Sequence, residues 1–166
     1  MSTAKPVKPA SAWASQVERA CAAKGLELTP LRRQVLAIVA KAPAPLGAYA
    51  ILEALSRGAQ KPVAPPTVYR ALEFFLDNGF VHRIESRNAY AACAHVGHAH
   101  HGILMICGQC GRSDEVESAA MAGLLREVSS SAGFVSDSQV VELQGLCRGC
   151  AGAASGRRGQ VSSPRH

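Results

Sequence analysis

Two cysteine pairs carry the clearest chemistry in this sequence, Cys107-Gly-Gln-Cys110 and Cys147-Arg-Gly-Cys150. Each is a C-x2-C knuckle. Together they supply four thiolates, the donor set that closes a tetrahedral structural Zn²⁺ site. Glycines Gly108, Gly111 and Gly149 lie within or beside the knuckles. A tight turn that aims backbone N–H groups at sulfur tolerates glycine best. Just upstream stands a second cluster: Cys93, His95, His98, His100 and His101. A closed four-cysteine site needs none of these, so they are candidates for a second metal site with mixed nitrogen and sulfur ligands. Other uses of the same residues exist. Four cysteines can form two disulfides, but no secretory signal precedes them. A lone C-x2-C can be a redox pair. Surface histidines often bind nothing.

These residues must be held by two small units. The chain has 166 residues, 48% of them hydrophobic, enough for one modest core or two small ones. The net charge of +6 is unevenly spread. Residues 1–92 hold 12 Lys/Arg against 6 Asp/Glu, whereas residues 93–150 hold 3 against 6. A basic first half is the electrostatic footprint of a nucleic-acid binder, or simply a solvated basic surface. No apolar stretch reaches the ~20 residues of a membrane span, and a cytoplasmic, thiol-reducing setting is expected. The sequence contains neither H-x-E nor H-E-x-x-H. That weighs against a zinc deaminase or metalloprotease. A thiol oxidoreductase stays as the other enzyme alternative.

In chain order, residues 1–11 are aperiodic and expected to be disordered. A helix is expected from about Ala12 to Lys24. Thr29-Pro30 starts a second, with Thr as N-cap and Pro at its first position. A third runs from about Gly47 to Arg57. Pro65-Pro66 opens a fourth, with Val68, Leu72, Phe75 and Leu76 as its buried stripe and Thr67, Tyr69 and Arg70 off it. Three short helices and a proline-bounded fourth fit a helix-turn-helix, whose last helix meets base edges in the major groove. Arg70 can bind guanine bidentately, and Thr67 and Tyr69 can donate to phosphate or touch a thymine methyl. Tyr49 is a phosphate candidate or an exposed tyrosine that touches nothing, and Arg32, near the start of the second helix, is a further DNA-binding candidate. A three-helix core with a solvated face is the alternative. Phe80 to Cys93 reads as a basic hairpin, a wing. With Arg87-Asn88 as its two loop residues, His82 sits opposite Cys93, close enough to share a metal. Residues 93–150 give a strand-strand-helix-strand unit. Its helix carries Met121, Leu124, Leu125 and Val128 on one face, and its core is small enough to need a zinc or a partner. Residues 151–166 are expected to be a flexible basic tail.

The chain resembles the ferric uptake regulator family, most closely its zinc-responsive branch. The resemblance rests on Leu28-Thr-Pro-Leu-Arg32, Pro65-Pro-Thr-Val-Tyr-Arg-Ala-Leu72, Gly79-Phe-Val-His82-Arg-Ile84, and the two knuckles. It implies an α+β chain, with a winged helix-turn-helix over 12–92 and a metal-binding dimerisation domain over 93–150. It further implies a homodimeric, zinc-dependent repressor of zinc-uptake genes that binds double-stranded operator DNA, with no membrane and no small-molecule substrate. Two zinc ions per subunit are expected: a structural one on Cys107, Cys110, Cys147 and Cys150, and a regulatory one on His82, Cys93, His100 and Glu115. His98 and His101 stay open as alternatives to His100. Family members often carry a histidine in the strand before the second knuckle. Here that stretch, Ser136 to Glu142, has none, which puts a further metal site in doubt. A thiolate at Cys93 favours zinc over harder metals. An iron, manganese or peroxide sensor of the same family is the alternative within the class.

Overall fold

The computed structural model describes residues 10–57, 63–96, 102–136 and 139–157, with side chains as far as residue 153. Helices α1 (Ala10–Ala23), α2 (Pro30–Lys41), α3 (Ala48–Arg57) and α4 (Pro65–Asp77) build the first core. The Thr29 side chain accepts the Arg32 N–H and caps α2, with Pro30 at its first position. Trp13, Val17, Val35, Ile51, Val68, Leu72, Phe75 and Phe80 are almost wholly buried in this core. On α4 the inner face is Val68, Ala71, Leu72 and Phe75; Leu76 is only half-buried. Helix α1 starts two residues earlier than expected and ends at Ala23. The remainder of the 1–11 segment, residues 1–9, lies outside the described residues.

The wing is a three-stranded sheet. Strands β2 (Val81–Ile84) and β3 (Ala89–Ala92) pair antiparallel, and the two-residue β1 (Leu46–Gly47) joins the far edge of β3. The expected register is two residues out: His82 faces Ala91, and Cys93 instead donates its N–H to Phe80 O. The loop has four residues rather than two. Glu85–Arg87 form a 3₁₀ turn, and Asn88 closes it in the left-handed region at φ 46°. Asparagine tolerates that conformation better than most residues. Strand side chains alternate with period two, so a two-residue shift leaves His82 and Cys93 on the same face as diagonal neighbours.

The second domain is another three-stranded sheet, ordered β5 (Ser113–Glu117), β4 (Gly102–Cys107), β6 (Val141–Gly145). Strand β4 pairs antiparallel with β5 and parallel with β6. Helix α5 (Ala119–Ser131), capped by Ser118, makes the crossover. Its expected apolar face is largely uncovered: Leu124 and Val128 are exposed, and Ala122 is the residue it buries. Phe134, Val135, Val140, Leu143 and Leu146 are exposed too. The expected tail from residue 151 is corrected in part: α6 runs Arg148–Arg157, continuing from the second knuckle through the Ala151 N–H to Cys147 O bond. Alanine, frequent in this stretch, is the strongest helix former. Ile84 of the wing packs on Leu104 and Ile106 of β4, an apolar contact between the two sheets.

Candidate metal centres and nucleic-acid face

The first knuckle follows β4 and the second follows β6. Because these strands run parallel and adjacent, both knuckles emerge at the same end of the sheet. The four cysteines converge so that their sulfurs lie within 4.8 Å of one another. Cys110 Sγ and Cys147 Sγ are 3.8 Å apart. A tetrahedron with Zn–S bonds of about 2.3 Å has edges of about 3.8 Å, whereas a disulfide needs about 2.05 Å. None of these four cysteines forms a disulfide. The Cys110 and Cys147 backbone N–H groups point at Cys107 Sγ and lower its pKa to about 5. The Cys150 N–H lowers Cys147 in the same way, while Cys150 itself, hydrogen-bonded to the Cys147 sulfur, is pushed up to about 12. Cys107 and Cys147 are thus the two thiols held toward the thiolate that a soft cation binds. The donor set fits Zn²⁺.

The second cluster joins three segments. His82 comes from β2, Cys93 from the end of the wing and Glu115 from β5, with their donor atoms within 4.8 Å of one another. His82 Nε2 lies 3.1 Å from Glu115 Oε1. Cys93 is fully buried, and Glu115 is 5% exposed. A buried carboxylate is costly unless paired. Here the Ala94 N–H donates to Oε2 at 3.1 Å while His82 faces Oε1. Burial opposes charge on His82, but hydrogen bonds to Cys93 and Glu115 outweigh it and raise its pKa to about 9. Imidazole, thiolate and carboxylate in one buried corner fit a borderline-soft divalent ion such as Zn²⁺. A fourth donor would have to come from nearby. His100, the expected one, lies outside the described residues, as do His98 and His101.

Three residues support this cluster; Trp13 and Gly102 escaped the sequence reading, while His95 was among its candidates. Trp13 Nε1 donates to Cys93 O at 2.8 Å, tying α1 to the cluster. Gly102 leaves the space that Glu115 fills: a Cβ there would fall 2.5 Å from Oε1 and 3.0 Å from Cγ. His95 lines the rim, with its N–H on Cys93 Sγ at 3.2 Å and Nδ1 3.7 Å from Glu117 Oε1. Of these, only His95 stood out by residue type.

In the first domain, Thr67, Tyr69 and Arg70 are exposed at the start of α4. Its first two residues are Pro65 and Pro66, which have no N–H, and the Thr67 N–H donates to Ala64 O at 3.0 Å, so this helix start presents side chains rather than free amides. Tyr49, 76% exposed, stands across a shallow groove from Tyr69. Arg32 is placed differently. Its guanidinium stacks 3.7 Å over the Phe74 ring and donates to Glu27 O at 2.7 Å, so it serves packing at least as much as any outward contact.

The family model described as the ferric uptake regulator family matches residues 23–144. The zinc uptake regulation protein of Escherichia coli (strain K12) is 36% identical over 137 residues, 82% of this chain and 80% of that protein. Among solved structures, a zinc uptake regulator complexed with zinc and DNA matches with TM-score 0.82 at 32% identity, over 88% of this chain and 97% of that one. Holo XcZur matches with TM-score 0.77 at 42% identity (85% and 98%), and apo XcZur with 0.53 at 41% (87% and 99%). Identity to the holo and apo forms is nearly equal, and the TM-score is higher for the holo form. The chain belongs to the ferric uptake regulator family, in its zinc uptake regulator branch.

Proposed function

We propose that the protein is a zinc-responsive transcriptional repressor of zinc-uptake genes that works as a homodimer in the cytoplasm. It binds operator DNA when zinc fills the site of His82, Cys93 and Glu115, with His100 as the fourth ligand. The observation that carries this reading is that wing, wing end and second domain each send a donor into one buried corner. An ion held there would act by position alone. It would fix the wing, and the α4 that precedes it, against the dimerisation sheet. Two reading helices in a dimer must reach major grooves about 34–36 Å apart or a multiple of that, so their angle matters. The four cysteines would hold a second, structural zinc. A second copy of the chain would cover Leu124, Val128, Leu143 and Leu146, apolar residues that a monomer leaves in water.

The test is to titrate buffered zinc against binding to a palindromic A·T-rich duplex and to count metal. About two zinc ions per chain are expected with metal present, and about one after mild chelation, with loss of DNA binding. Metal that leaves in a single step, or duplex binding indifferent to zinc, would sink the two-site reading.

Arg70→Ala should weaken specific binding by about 1–3 kcal/mol per subunit, the worth of one good base contact. The side chain is exposed, so thermal stability should stay at the parent value. Parent-like affinity in a gel shift at moderate salt would mean that α4 is not the reader.

A further inference from the structure

Besides the corner of His82, Cys93 and Glu115, the wing also grips the second domain at the tip of the hairpin. Glu142, on β6 opposite Leu104, accepts the Glu85 N–H at 2.6 Å and the Ser86 N–H at 3.3 Å. These amides open the 3₁₀ turn of the hairpin, and the strand hydrogen bonds of the wing do not use them. One residue on, Arg87 Nη2 donates to Cys107 O at 3.1 Å, on the first knuckle. Ile84, wholly buried on Leu104 and Ile106, forms the floor beneath. Burial works against ionisation of Glu142, yet the Ser86 side chain and the two amides hold its carboxyl below the usual range. A charged acceptor gripping two N–H groups is the stronger class of hydrogen bond. None of these atoms belongs to His82, Cys93 or Glu115.

We infer that Glu142 is a positioning residue: it clasps the wing turn to the second domain and so sets the zinc concentration at which the protein becomes competent for DNA. The inference rests on the sensor reading above. Its logic is linkage. His82 and Glu115 come from opposite sides of the same domain contact, so zinc sees all its ligands together only when that contact is closed. Apparent zinc affinity then scales with the closed fraction, and whatever closes the contact lowers the zinc required. A carboxylate some distance from the metal thereby tunes the set point without touching the metal.

The test uses the full chain with Glu142→Ala, and Glu142→Gln as the variant that keeps shape and loses charge. Amide hydrogen exchange is followed at Glu85 and Ser86 in zinc-loaded protein. In parallel, buffered zinc is titrated against binding to a labelled palindromic A·T-rich duplex. Exchange at those two amides should quicken, and half-maximal binding should need roughly threefold to tenfold more zinc in the alanine variant, less in the glutamine one. Zinc per chain and binding at saturating zinc should match the parent. An unmoved zinc midpoint in a parent that does respond to zinc would overturn the clasp alone, and so would unchanged exchange at both amides. A parent that binds the duplex without zinc would overturn the sensor reading and the set point together.

Discussion

A Cys107→Ser chain is expected to lose the fold of its second domain, and the dimer with it, whether or not zinc is supplied. Cys107 is 3% exposed at the end of the central strand. Its sulfur accepts the Cys147 N–H at 3.4 Å, and its carbonyl accepts the Gly111 N–H and Arg87. The domain around it has little else. Among the described residues, Ile103, Leu104, Ile106 and Ala122 are the apolar residues buried with Cys107 in this sheet and helix, while much of α5 and β6 faces outward. Closed zinc sites return roughly 10–16 kcal/mol on folding in small domains. Whole domains are stable by only about 5–15 kcal/mol. A three-thiolate remnant that holds zinc poorly therefore leaves too little to keep the sheet together. Size-exclusion chromatography and circular dichroism decide the matter: a dimer that melts like the parent would show that the four cysteines are not a structural site.

Cys93→Ser should give the opposite pattern, a folded dimer blind to zinc. Cys93 is buried, but its backbone is held independently of its sulfur, by Phe80 O on one side and Trp13 Nε1 on the other. A serine hydroxyl can still accept the His95 N–H that the sulfur now takes. As a metal ligand it is far poorer, because it remains protonated at neutral pH. Loss of a supporting hydrogen bond around a metal costs about 10–100-fold in affinity, and loss of a ligand should cost more. The variant should elute as a dimer, melt near the parent temperature and fail to shift the duplex at zinc levels that suffice for the parent. Excess zinc should restore part of the binding. If Cys93→Ser unfolds while Cys107→Ser only dulls the zinc response, the two roles are exchanged.

Much of this was legible because local rules agreed with the fold. Thr29-Pro30 caps a helix in any context, and the knuckle spacing states its own ligand geometry. His82 and Cys93 reached the same corner despite a wrong register, because the error was even and strand faces repeat every second residue. The loop itself was misread because a 3₁₀ turn closed by a left-handed Asn88 has no two-residue signature. Strand β1 is two residues long and exists only because β3 offers it an edge. Helix α6 has no amphipathic stripe to announce it; it grows from a knuckle formed by distant chain segments. The clasp was invisible for the same reason, with 56 and 57 positions separating Glu142 from the amides it holds. Such contacts follow from the packing of two sheets, which no local pattern encodes.

The parallel pairing of β4 and β6 has a further consequence, for the unfolded chain. Cys107 and Cys147 are separated by 40 positions and a whole crossover helix. Until they meet, that segment is an open loop, and closing a loop of this size costs about 4 kcal/mol of chain entropy. A metal held by two or three thiolates across the gap acts as a reversible crosslink. It removes that entropy from the denatured ensemble before any strand pairs. Parallel pairing is non-local and slow to form, so this step should govern how fast the second domain assembles. Zinc present during synthesis would then speed folding as well as stabilise its product, and a chain made in zinc starvation would spend longer with its β4 edge unprotected.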